Sequence, residues 1–166
     1  GCDFPSEAWF DYVVVSKLDE NLDVPLLKQY KNPWGNQIYD SANLWSSSSP
    51  GISSWGCALT SAAMVFQYHG IKKLPNNKNL DPGTLNTWLK DQPDGYIRNG
   101  LVNWIALSRL SRLAKPKTPA FAHDALEYQR KNNADTTQLT ADINNGIPGI
   151  LEEPGHFVVG RGFNPS

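Results

Sequence analysis

Residues Cys57 to Tyr68, CALTSAAMVFQY, set the tightest limit on what this chain can fold into. Leu59, Ala62, Ala63, Phe66 and Tyr68 recur at helical spacing, which predicts a helix that His69 and Gly70 stop. Small residues lie on several of its sides, so neighbours can approach from more than one direction, and the helix is expected at the centre of the fold. A chain of 166 residues has room for one domain with a full core. The remaining elements must therefore be the ones that cover this helix.

Before it, Leu26 to Trp55 is rich in aromatic and small residues, and Pro33, Gly35, Pro50 and Gly51 block any long helix there. The serines from Ser46 to Ser49 are too short a run to be a linker, and Trp45 and Trp55 on either side call for burial. Earlier still, Trp9 to Val15 reads as a strand, and residues 1–25 as an N-terminal arm before a domain over 26–166. After the central helix, DPGTLNTWLKDQ predicts a second helix with Thr84 as N-cap and Leu85, Trp88 and Leu89 on one face. LVNWIALSRLSRLA repeats the pattern with Leu101, Ile105, Leu107 and Leu110. Thr136 to Gly146 predicts another helix, with Leu139 and Ile143 inward and Gly146 as its cap. The period then changes: IPGILEEPGHFVVGRGF has short β-branched runs cut by Pro148, Pro154, Gly155 and Gly160, the pattern of strands and turns. Helices first and strands later predict an α+β fold rather than an alternating parallel sheet.

Charge and hydropathy remove several function classes. The 15 lysines and arginines are scattered and balanced by 16 acidic residues, so no basic stripe predicts nucleic acid as a partner. The longest apolar runs, such as Tyr12 to Val15 and Ala62 to Phe66, fall far short of the roughly 20 residues that span a bilayer. No basic stretch followed by an apolar one opens the sequence, so no signal peptide is expected in it. The two cysteines, Cys2 and Cys57, make no disulfide framework, and a free thiol is the favoured reading. Cys2 fits either a frayed terminus or the lipid-bearing first residue of a mature bacterial lipoprotein.

Cys57 follows Trp55-Gly56 and opens its helix, where the helix dipole and unpaired backbone amides favour a thiolate. A small buried hydrophobe is the competing account. His156, 99 residues downstream of Cys57, sits after a Pro-Gly turn at the head of a strand and is the candidate base, although a histidine near a strand often does no more than bond a carbonyl. Among the rest, His69 fits a favourable charge at a helix C-terminus. His123 beside Asp124 lacks a second ligand at metal spacing. Glu152 and Glu153 are either an exposed loop pair or a bias toward basic peptides.

Three ordered blocks, VPLLKQYKNPWGN (Val24 to Asn36), GCALTSAAMVFQYHG and LTADINNGIPGILEEPGHFVVGRG (Leu139 to Gly162), resemble the bacteriocin-processing (double-glycine) peptidase-like branch of the papain-like cysteine peptidases. The resemblance implies a papain-like fold, with the cysteine helix packed against an antiparallel sheet that carries the histidine. It implies hydrolysis of a peptide or amide bond through an acyl-enzyme on Cys57, with His156 as base. Gln29 becomes the glutamine that helps to form the oxyanion hole, Gln37 being the second choice. Trp55 is expected to touch substrate. The family's orienting Asp or Asn follows the histidine by more than a dozen residues, whereas 10 residues follow His156 here, so Asn164 is the remaining candidate. The resemblance implies a peptide substrate, no metal or organic cofactor and a monomer. It leaves three other readings open: an inactive module that binds a peptide or cell-wall fragment, an amidase, and an acyltransferase. Relatives that stand alone are often exported, which favours a bacterial cell-envelope or extracellular location, whereas those that mature bacteriocins work on the cytoplasmic side of a transporter.

Overall fold

The computed structural model describes residues 21–114, 126–131 and 135–163. Within them the elements run α1 (Ala42–Trp45), α2 (Ile52–Trp55), α3 (Cys57–Tyr68), α4 (Pro82–Lys90), β1 (Tyr96–Ile97), β2 (Leu101–Val102), α5 (Trp104–Ala114), α6 (Thr136–Asn144), β3 (Gly149–Glu153) and β4 (His156–Gly160). The expected strand at Trp9 to Val15 lies outside the described residues, as do Cys2, His123, Asp124 and Asn164.

α3 is the centre of the fold, as its small residues require. Leu59, Ala62, Ala63 and Phe66 are buried along one face of it and join Leu85, Trp88 and Leu89 of α4 and Leu107 and Leu110 of α5 in one core, while Thr60 and Ser61 are buried on another side. The expected helix and the observed one have the same bounds. α4 starts earlier than its sequence predicts. Its N-cap is Asp81, whose carboxylate accepts the Thr84 backbone N–H at 2.9 Å, while the Thr84 hydroxyl accepts the Asp81 N–H at 3.0 Å. Thr84 is thus the inner half of a capping box and not the cap, and Pro82 fills a first-turn position that has no use for an N–H.

The third helix pattern is corrected more substantially. Leu101 belongs to β2, paired with Ile97 across a turn of residues 98–100. α5 begins at Trp104 because the Asn103 side chain accepts the Ile105 N–H at 3.0 Å and caps it there. Leu101 and Ile105 are consequently 62% and 64% exposed, and the buried face is Ala106, Leu107, Leu110 and Ser111. α6 ends as its glycine predicts: Gly146 has φ +77°, the left-handed geometry open to glycine at little cost. Ile143 is buried and Leu139 half-buried.

β3 and β4 form an antiparallel hairpin in the register Gly149↔Gly160 to Glu153↔His156, leaving Pro154 and Gly155 as a two-residue corner. Gly155 takes φ +76° there, so proline and glycine occupy the positions that a type II turn assigns them. β4 packs on α3, and the Ser61 hydroxyl donates to the Phe157 carbonyl at 3.4 Å. Helices with two small antiparallel sheets make the described molecule α+β. The serine run is a short loop clasped to the body: the Trp55 indole N–H donates to Ser49 O at 2.8 Å and its ring meets Trp45 edge-on at 4.9 Å. Asn21 to Pro25, the end of the stretch expected to be an arm, also packs on the body. The Leu22 N–H donates to Arg161 O at 2.7 Å, and Val24 is buried.

Candidate active site

The first residue of α3 and the first residue of β4 line one cavity. Its volume is about 500 Å³, and among the described residues it is lined by the N-terminal segment from Val24 to Tyr30, Ser53 of α2, one face of α3, and β4 with Arg161 just after it. Cys57, Thr60, Ser61 and Met64 form the α3 face, at the i, i+3, i+4 and i+7 positions that a helix puts in one row.

Gly56 explains why α3 starts where it does. It is the C-cap of α2 and the N-cap of α3 at once, and its φ of −87° is open to any residue. The need for glycine is one of space: a Cβ at this position would lie 2.5 Å from the Ile52 side chain and 2.8 Å from the Ile52 carbonyl oxygen. The glycine before the cysteine therefore lets two helices meet, and the meeting places Cys57 at the mouth of the second.

The cap of α3 also differs from those of α4 and α6. Asp81 caps α4 and Asp135 caps α6 through carboxylate oxygens, whereas no side chain caps α3 and its first turn holds no acidic residue. Neither the cap nor the first turn of this helix thus carries a carboxylate against its positive end, and Cys57 stands there, a position that favours a thiolate over a thiol.

Gln29 reaches the same cavity from the N-terminal segment. Its side-chain N–H donates to the Ser53 carbonyl at 2.8 Å, which fixes the plane of the amide and leaves the group a second hydrogen. Gln37 is elsewhere. It donates to the Thr87 hydroxyl at 3.0 Å and lines a shallow groove with Trp34 and Asp81. Trp55 is not among the cavity's lining residues; its indole is committed to the serine loop. Glu152 and Glu153 are exposed on β3 and do not line the cavity either. His69 caps the far end of α3, with its ring 5.0 Å from that of Tyr68. The structure therefore brings together Cys57, His156 and Gln29 of the predicted set, and Asn164 lies outside the described residues.

Several lining residues escape the sequence reading. Thr60, Ser61 and Met64 share the helical row of Cys57, and that period was the signal available for them. Thr60 Oγ1 is buried and makes no hydrogen bond among the described residues. Leu26, Leu27 and Arg161 come from loops, where no period marks them. Among the described residues no group of three His, Cys, Asp or Glu side chains is placed to hold a metal ion, and no helix is long and apolar enough to cross a membrane.

Residues 21–166 match the family model described as Peptidase_C39 like family. No curated protein and no solved structure matches the chain significantly. The family implies the papain-like fold, to which a cysteine-bearing central helix against a histidine-bearing hairpin corresponds.

Proposed function

Because the chain belongs to the Peptidase_C39 like family, and so to the cysteine peptidases in character, we propose that it cleaves a peptide or related amide bond through an acyl-enzyme on Cys57. The observation that carries this reading is that Cys57, at the uncapped start of α3, His156, at the head of β4, and Gln29 line one cavity.

In this mechanism His156 is the base that takes the thiol proton. The Cys57 sulfur attacks the substrate carbonyl carbon, a C–S bond forms, and the carbonyl oxygen becomes an oxyanion. The Gln29 amide and the Cys57 backbone N–H donate to it, each such donor contributing about 3 kcal/mol in comparable sites. His156 gives its proton to the leaving nitrogen as the C–N bond breaks. Water, deprotonated by the same imidazole, then attacks the thioester, releasing the carboxylic acid and the free cysteine. Asn164 is the residue we assign to orient His156, and its loss should cost rate more than binding.

The test is hydrolysis of a mixed peptide pool read by mass spectrometry. Cys57→Ala and His156→Ala should each abolish cleavage, and Gln29→Ala should lower it by on the order of 10²-fold with the fold intact. Cleavage that survives Cys57→Ala unchanged would sink the assignment. An intact protein whose Cys57 is unreactive would instead be a module that binds peptides without cutting them.

A further inference from the structure

The cavity meets β4 along its edge and not on its face. Successive residues of a strand point to opposite sides, yet His156, Phe157, Val158 and Val159 all line the same space. That is possible for a cavity that looks at the strand side-on. The hairpin register gives the reason. In a two-residue hairpin the closing pair, here Glu153 and His156, exchanges both backbone hydrogen bonds, and every second pair after it does the same. Phe157, Val159 and Arg161 therefore turn their N–H and C=O groups away from β3, toward the open edge. Two of the three show this directly, since the Phe157 carbonyl accepts from Ser61 and the Arg161 carbonyl accepts from Leu22 at 2.7 Å. The segment at Leu22 leaves the edge at once, through a turn closed by the Val24 N–H on the Leu22 carbonyl at 2.8 Å. Between these two anchors, the outward N–H and C=O of Val159 receive no bond among the described residues. They lie on the strand that begins with His156.

We infer that the substrate is held as an added strand on this edge: an extended peptide exchanges two backbone hydrogen bonds with Val159 while its side chains enter the apolar space between Leu26, Leu27 and Met64. The chain's own contact at Leu22 shows that a carbonyl on this edge, that of Arg161, accepts a backbone N–H. Charge specifies the peptide further. Among the described residues no aspartate or glutamate lines the cavity, and Arg161 is the one lysine or arginine that does. Among the described residues the ion pair present is Arg109 with Asp94, so Arg161 meets no carboxylate there. The peptide accordingly carries an acidic side chain, or its terminal carboxylate, next to Arg161, with apolar residues beside it. This inference rests on the reading of the cavity as a peptidase site, and it adds how the substrate is gripped.

The experiment uses Cys57→Ala protein, which binds without cutting. It is incubated with a hexapeptide pool containing Ala, Leu, Val, Glu and Lys at each position, and with the same pool N-methylated at every amide, and retained peptides are counted by mass spectrometry. The account expects at least tenfold higher retention of the parent pool, because N-methylated amides cannot donate to Val159. Glu-containing members should be enriched, and Arg161→Gln should remove that enrichment. Val159→Pro deletes the outward N–H while sparing the ladder to β3, and should reduce retention to the N-methylated level. Equal retention of both pools on the Val159 protein, or no retention of either, overturns strand addition whether or not the proline variant folds. Iodoacetamide labelling of Cys57 with and without His156 is read beside it. Reactive Cys57 with equal pools sinks the grip alone, and inert Cys57 with discriminating pools sinks the chemistry alone.

Discussion

At the scale of single residues, the site depends on the absence of two things, a Cβ at position 56 and a carboxylate at the cap of α3. Gly56→Ala places a methyl group within 2.8 Å of the Ile52 carbonyl oxygen, and a backbone oxygen cannot step aside as a side chain does. We expect the variant to lose about 1–3 kcal/mol of stability, the usual cost of overpacking, and to label more slowly at Cys57 because α3 no longer starts in the same place. A urea melt and an alkylation time course check this together; unchanged labelling on a destabilised fold would separate Gly56 from the chemistry. Much of this scale was legible in the sequence. Cys57, His156 and Gln29 each stood in a motif, and the structure brings all three to one cavity. Trp55 was not legible, since its closeness to Cys57 in sequence carries no information about which way the indole points. Its N–H needed a partner and found one in the serine loop.

At the scale of elements, a buried polar hub joins the loop before α1 to α4 and β1. Asn86 of α4 is fully buried; its amide N–H donates to the Ile38 carbonyl at 2.9 Å, and its oxygen accepts from the Asp40 N–H at 3.1 Å and the Tyr96 hydroxyl at 2.8 Å. Asn86→Ala strands these groups without their partner, so a loss of about 3 kcal/mol or more is expected, since each unsatisfied buried group costs about 1–3 kcal/mol. Denaturant unfolding measures it, and a change within about 0.5 kcal/mol, the range of neutral surface substitutions, would mean the hub is solvated. Nothing in the sequence marks Asn86 as a hub, because its partners lie as many as 48 positions away. The four-residue helices α1 and α2 were not legible in a stretch read as loop, whereas α3 to α6 were, from their apolar period. The exception is Leu101, which fits the period by accident and belongs to a strand, because a short side-chain cap at Asn103 outweighs one more apolar residue in deciding where a helix begins.

At the scale of the whole molecule, Tyr96 and Asp94 give stability a dependence on pH. Burial, with Tyr39 and Asp40 nearby, pushes the Tyr96 phenol far above its ordinary value. An unfolded tyrosine ionises near ~10, so the unfolded state sheds a proton that the folded state keeps, and stability should fall as pH rises past that value. Tyr96→Phe should flatten this alkaline loss, as read by thermal melts between neutral and alkaline pH. At the other end, the Arg109 guanidinium donates to both Asp94 oxygens, at 2.8 and 2.6 Å, and holds that carboxyl below the usual range. The pair favours the fold above the ordinary carboxylate value near ~3.9 and ceases to do so as pH falls through the lowered one. The Tm difference between wild type and Arg109→Gln should therefore shrink toward zero in acid, and it should be small throughout, because the pair is at the surface. The fold class was legible at this scale, since the switch from helical to strand period marked α+β; the enclosure of the cavity by residues 24–30 was not, because loops that pack by shape leave no periodic signal.

Whether Cys57 and His156 act as one pair is read from the pH dependence of Cys57 alkylation by iodoacetamide. The measurement uses protein in which Cys2 is replaced by serine, with His156→Ala beside it. The account predicts labelling at pH values well below ~8.5, the midpoint of an ordinary thiol, and a return toward that midpoint when His156 is removed. An ordinary midpoint that does not respond to His156 would contradict it.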